Sequence, residues 1–336
     1  MMGERNEPTD RTAGGRLRSC ALLAGGLKPS PLAAEAGLSP LDLLLAPGLT
    51  LMQLWCDKLA QLAAAEGTTP LAVRIVWGGA SPAPSPACAA REEGGALTLQ
   101  LAQEPRSYRG PAGVARDVCL AEEGADDDLF LLADAARAVL GDLTQLLVEH
   151  RRRDADVSIA HEADGSPSGL YLASRRSLAL AQQDGYQDLK EQWLPKVRRG
   201  GLRIEAIQLP AESATSPVRT RQQALAVAAS LARERSVLGA VQREGGVERV
   251  GRSGLRLAPG VVRAGVTVLD PQAAVSDAAV VVDSIVMAGA VVEREAVVAR
   301  SIICPGAAVE AGAKVVDAVI GCGGRAARDA LHRERS

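Results

Sequence analysis

The stretch VVDSIVMAGAVVEREAVVARSIICPGAAVEAGAKVVDAVI (281–320) restates itself. VVDSIV (281–286), VARSII (298–303) and VVDAVI (315–320) are one phrase recurring every 17 residues. Within that period aliphatic residues fall at steps of six, six and five: Leu269, Val275, Val281, then Val286, Val292, Val298, then Ile303, Val309, Val315, and finally Ile320. Small or turn-forming pairs lie between them: Pro259-Gly260, Ala264-Gly265, Ala288-Gly289, Pro305-Gly306 and Ala311-Gly312. One inward aliphatic per short strand, with a turn at each corner, is the pattern of a triangular parallel β-helix. A helical reading fails, because a step of six places successive side chains on different sides of an α-helix. Antiparallel sandwich strands would not keep so regular a spacing.

Such a solenoid can be the catalytic body of a hexapeptide-repeat acyltransferase, which needs a histidine base near a coil corner. Residues 255–323 contain no histidine, and His332 lies beyond the last coil. The remaining reading is a structural appendage that mediates homo-oligomer formation or docks a partner subunit.

The whole chain has 336 residues, more than one core usually holds, which predicts two domains. Hydrophobic residues are 47% and charged residues 23%, enough to bury a core. Aromatics are 2%, with a single Phe, so the core is built from Leu, Val and Ala, and a base-stacking surface for single-stranded nucleic acid is not expected. A net charge of -2 supplies no general attraction to nucleic acid or anionic membrane. Six cysteines without a CxxC pair argue against a zinc site or disulfide framework and fit a reducing cytoplasm. The polar opening MMGERNEPTDRTAGGRLRS is unlike a signal peptide. LDLLLAPGLTLMQLW (41–55) is interrupted by Asp42, Pro47 and Gly48 and is too short to span a bilayer.

Ahead of the repeat, signals alternate. CALLAGG (20–26), LAVRIVW (71–77), ALTLQLA (96–102), DLFLLAD (128–134) and ADVSIAH (155–161) read as strands. PGLTLMQLWCDKLAQLAAA (47–65), GPAGVARDVCLAEE (110–123) and GDLTQLLVEHRRR (141–153) read as helices. This predicts an α/β domain with a doubly wound, mostly parallel sheet and a ligand site beyond the carboxyl ends of its strands. Asp134 ends one such strand and Gly25-Gly26 follows another, so both face one crevice. From position alone Asp134 is either a ligand-site residue or a cap of the next turn. Asp142 precedes an apolar-periodic run and reads as a helix cap. His150 and Arg151–Arg153 read as positive charge at a helix end. Tyr171 and Trp193 read as core or rim packing.

In their order these segments resemble the nucleotide-sugar pyrophosphorylases, the sugar-1-phosphate nucleotidyltransferases that include mannose-1-phosphate guanylyltransferase and glucose-1-phosphate adenylyltransferase. LLAGGLKPSPL (22–32) is similar to the family's opening strand and glycine-rich nucleotide loop. RGPAGVARD (109–117) resembles its GTAGA-type base-contacting loop. FLLADAARAVLGDLTQLLVEHRRRDADVSIA (130–160) resembles the segment around its magnesium aspartate. SPSGLYLASRRSL (166–178) with GYQDLKEQWLPKV (185–197) is similar to the sugar-binding strand and following helix. The resemblance implies a nucleotidyltransferase-like domain over 18–235, a connection over 236–254 and a left-handed β-helix of hexapeptide repeats over 255–323. A polar tail (1–17) and a charged tail (324–336) would flank them. It implies nucleotide contacts from Gly25, Gly26, Lys28, Gly110, Ala112 and Gly113, a sugar contact at Gly169, and Mg²⁺ on Asp134. The reaction it implies joins a nucleoside triphosphate and a sugar-1-phosphate into a nucleotide sugar, releasing pyrophosphate.

Several family features are altered. GGLKPSPL lacks the third glycine, the Thr and the Arg of GGxGTRLxPLT, and Pro29 and Pro31 remove two N–H donors. Pro111 stands where the second loop has Thr, and 155–169 contains no EKP lysine. ATSPVRTRQQALAVAAS (214–230), where the second metal aspartate belongs, contains no acid. Losing one preorganised donor commonly costs ~10²–10³ in rate. The alternative expectation is therefore a catalytically inactive relative, a regulatory or scaffold subunit binding a nucleotide, a nucleotide sugar or a protein partner.

Overall fold

The computed structural model describes residues 15–25, 28–80, 82–85, 95–104, 109–211, 214–233 and 266–328, with the backbone alone at 234–238, 243–244, 247–248 and 262–264. Seven strands form the main sheet: β1 (Leu17–Leu23), β2 (Leu71–Trp77), β3 (Leu97–Gln103), β4 (Leu129–Asp134), β5 (Val157–His161), β6 (Pro167–Ser174) and β7 (Ile204–Gln208). Their spatial order is β7-β5-β6-β4-β1-β2-β3. Only β6 runs against its neighbours, pairing antiparallel with β4 and β5. The sequence reading did not foresee this reversal; a tight turn, with Glu162 N–H donating to Ser166 O at 2.8 Å, returns the chain directly. From β1 the order grows one way through β2 and β3 and the other way through β4, so a switch point lies between β1 and β4.

Helices cover both faces because the central strands are apolar on both sides. Cys20, Leu22, Val73, Ile75 and Leu131 share a core with α1 (Leu51–Ala65), α3 (Thr144–Arg152) and α5 (Arg221–Leu238). Ala21, Phe130, Leu132 and Ala173 pack on the other side with α2 (Gly110–Cys119) and α4 (Leu194–Arg199). Thr50 starts α1 with a reciprocal capping box: its hydroxyl accepts from Gln53 N–H and Gln53 Oε1 accepts from Thr50 N–H. Asp142 accepts from Thr144 N–H at 2.8 Å just ahead of α3. Trp193 is fully buried and donates from Nε1 to Ser177 O at 2.8 Å. No described helix is long and apolar enough to cross a membrane.

The C-terminal strands form three four-stranded parallel sheets. Register advances by one period at each pairing: Val281 opposite Val298 opposite Val315, and Val286 opposite Ile303 opposite Ile320. The side chains of Val281, Val298, Val315, Val292 and Val309 fill a narrow interior. Asp283, Arg300 and Asp317, one period apart, take left-handed backbone at one corner, and Gly289 and Gly306 do so at another. These stacked parallel sheets fit a β-helix. Helix α5 continues to Leu238, and the last stacked strand is Arg325–Ala326.

One flank of the stack is apolar outside as well as inside. Val268, Ile285 and Ile302 belong to the same core as α1 and α5. Buried Arg221 closes that junction, donating to Arg300 O and reaching Asp317 Oδ1 at 3.3 Å. Cys322 N–H also donates to Ala36 O at 2.9 Å. The repeat is thus fused to the α/β domain through a shared core.

Candidate functional site

A cleft of about 570 Å³ opens beyond the carboxyl ends of β1, β2 and β4, at the switch point. Trp77, Tyr171 and Tyr186 line it. The chain has only seven aromatic residues, so this one cleft holds three of them. Three cationic side chains, Arg137, Lys190 and Arg219, share the lining with two acids, Glu104 and Asp134. The composition suits a ligand with a flat ring and more than one negative charge.

Asp134 pairs with Leu23 at the parallel ends of β4 and β1. Both of its oxygens are engaged. Oδ1 accepts from Ala136 N–H at 3.0 Å, closing a turn, and Oδ2 accepts from Arg219 Nη2 at 2.5 Å. Backbone pairing fixes Arg219 there: strand 215–217 runs antiparallel to 137–139, and Val218 N–H donates to Ala136 O at 2.8 Å. The partner carbonyl of Arg219 receives Leu32 N–H at 3.0 Å. Arg137 lies lower, donating from Nε to Thr215 Oγ1 at 2.8 Å and facing Glu162 at 3.5 Å. Burial lowers the Arg137 pKa first, Asp134 and Glu162 oppose that, and the neighbouring Arg219 adds to it. It remains a cation at any ordinary pH.

Glycine is required where backbones and side chains converge. Gly169 has φ +76°, and a Cβ there would come within 2.6 Å of Arg137 Cδ and 3.0 Å of Asp134 Cβ. A Cβ on Gly25 would fall 2.1 Å from Gly78 N, so the ends of β1 and β2 can close only without a side chain at this position.

The opposite wall is held by a buried arginine. Arg109, 2% exposed, donates from Nε to Asp117 at 2.8 Å, from Nη1 to Gly185 O at 2.7 Å and from Nη2 to Gln182 O at 2.9 Å. Gln187 N–H donates to Arg109 O and Ala112 N–H donates to Gln187 O. This clamp fixes segment 182–187 and sets Tyr186, 41% exposed, over Gly110 at the cleft rim.

The sequence-predicted residues distribute unevenly. Asp134, Gly25, Gly110 and Gly169 line the cleft. Ala112 is buried under the rim, and Gly113 packs against the Arg109 guanidinium, where a Cβ would lie 2.9 Å from Cζ. Lys28 is exposed and is not part of the lining, and Gly26 lies outside the described residues. Arg137, Arg219, Lys190, Trp77 and Tyr186 escaped sequence reasoning. The one available signal was the basic, acid-free character of 214–230.

Magnesium does not fit these residues. Among the described residues no three His, Cys, Asp or Glu side chains converge to hold an ion. Asp134 already neutralises a guanidinium, and Glu104 accepts from Arg109 N–H at 3.2 Å. Mg²⁺ recruited to Asp134 would have to displace Arg219 and sit close to Arg137. A comparison with protein-family models and with curated proteins gave no match.

Proposed function

We propose that the chain is a non-catalytic member of the nucleotide-sugar pyrophosphorylase type, a regulatory or scaffold subunit that binds a nucleoside diphosphate sugar. One observation carries this reading. The switch-point cleft combines three of the chain's seven aromatic side chains with three cations, where a productive pyrophosphorylase would need a triphosphate loop and metal carboxylates. The base or sugar ring would lie against Trp77, Tyr171 or Tyr186. The diphosphate would meet Arg137, Arg219 and Lys190, whose planar or pointed donors match phosphate oxygens. The doubly wound domain and a left-handed, hexapeptide-type β-helix belong to the same proposal, as do a cytoplasmic location and assembly with a second copy or a partner through the β-helix.

The chain's own groups account for binding better than for turnover. Pro29 and Pro31 remove amide donors from the loop after Gly25, and Lys28 in that loop is exposed and is not part of the lining. Calorimetric titration with uridine, adenosine and guanosine diphosphate sugars tests the reading. One of them is expected to bind, with about tenfold weakening in Arg137→Gln and Tyr186→Ala. Absence of binding by all of them, or equal binding by both variants, would overturn it.

A further inference from the structure

The place where a nucleotidyltransferase-like cleft would hold a divalent ion is taken by a protein cation. We propose that Arg219 acts as a built-in substitute for the metal, so that the cleft receives a diphosphate group without any divalent cation. This rests on the reading above for its ligand class, and on the Asp134 ion pair for its chemistry.

Three features carry it. Arg219 Nη2 sits 2.5 Å from Asp134 Oδ2, while its side chain stays 54% exposed and is part of the cleft lining, so it can pair with the carboxylate and still meet a ligand. Its position is not a side-chain accident: the 215–217 with 137–139 pairing and the Val218 to Ala136 hydrogen bond hold the backbone just before Arg219 against the turn that follows Asp134. Arg137 and Lys190 line the same cleft, so among the described residues its lining carries, with Arg219, three positive charges alongside Glu104 and Asp134, and Glu162 faces Arg137 at 3.5 Å. A phosphate pair entering this field gains the charge compensation that a metal would otherwise supply. A guanidinium does so by a fixed fork of N–H donors and needs no open coordination shell.

The experiment has an arm that needs no nucleotide sugar. Free Mn²⁺ is followed by electron paramagnetic resonance while wild type, Arg219→Asp and Arg219→Asp/Asp134→Asn are titrated, each with its fold checked by circular dichroism. Wild type is expected to leave Mn²⁺ free, Arg219→Asp to bind one ion on the paired carboxylates, and the double variant to lose it. Mn²⁺ binding by wild type that Asp134→Asn abolishes would overturn the proposal, as would a folded Arg219→Asp that binds none. The second arm titrates wild type and Arg219→Ala with UDP-glucose and GDP-mannose, in EDTA and in excess Mg²⁺. Affinity should agree within about twofold in the two buffers and fall about tenfold in Arg219→Ala. A requirement for Mg²⁺ would overturn the proposal. Failure of both probes to bind in either buffer would instead count against the proposed ligand class, with the Mn²⁺ arm deciding the role of Arg219.

Discussion

His150 links the stability of the α/β domain to pH. It sits in the last turn of α3, is 2% exposed, and shares a 2.7 Å hydrogen bond between Nδ1 and Ser158 Oγ on β5. Burial lowers its pKa to about 4, with Arg151 adding to the shift and Asp156 and Asp154 opposing it. The unfolded chain binds the proton near pH 6.5. Between those values the unfolded state therefore holds more protons, and stability rises with pH across the window. On going down from pH 6.5 to 4 the loss is about 3 kcal/mol, of which about 2 kcal/mol is gone at pH 4.5. Urea unfolding of wild type and His150→Gln at pH 7.0 and 4.5 isolates this contribution, since other titrating groups are common to both. The variant should be the less stable protein at pH 7.0, and the gap should close or invert by about 2 kcal/mol at pH 4.5. An unchanged gap at the two pH values would refute the buried neutral imidazole.

Ile302→Ala empties a fully buried position in the core that the β-helix shares with the α/β domain; a loss of about 2–5 kcal/mol in chemical unfolding is expected, with both parts affected together. A change confined to a separate transition of the repeat would contradict the shared core. Arg109→Ala leaves Asp117 without its buried partner and frees segment 182–187, costing about 3–5 kcal/mol in the same assay. Arg109→Lys should rescue little, because one ammonium cannot reproduce contacts to Asp117, Gly185 O and Gln182 O. Gly169→Ala must hold φ +76° and push on Arg137, so about 1–2 kcal/mol of stability and a measurable part of ligand affinity should be lost together.

The repeat was the most legible part of the chain because each short strand spends one side chain on the interior. That leaves a step of six, six and five which the structure reproduces as Val281, Val298 and Val315 in register. The strands β1, β2 and β4 were legible as apolar runs, and Asp134 as the end of one. The sequence reading assigned strand β6 no direction, although Asp164-Gly165 supplies a hairpin turn ahead of it. The second half of the site could not be read locally. Arg219 matters only because residues 215–217 pair with 137–139, far apart in sequence, and Tyr186 only because Arg109 clamps its segment. Gly113, which the resemblance made a nucleotide contact, packs beside that arginine. His150 read as charge for a helix dipole, yet its burial against Ser158 keeps it neutral.

The most direct test is phosphorus NMR on mixtures of the protein, each of several nucleoside triphosphates and a panel of sugar-1-phosphates with Mg²⁺, followed by the corresponding nucleoside diphosphate sugars alone. The resonances of one diphosphate sugar should broaden or shift on adding protein, while no pyrophosphate signal grows in any triphosphate mixture. Accumulating pyrophosphate together with a new diphosphate sugar would establish a working nucleotidyltransferase and contradict the account.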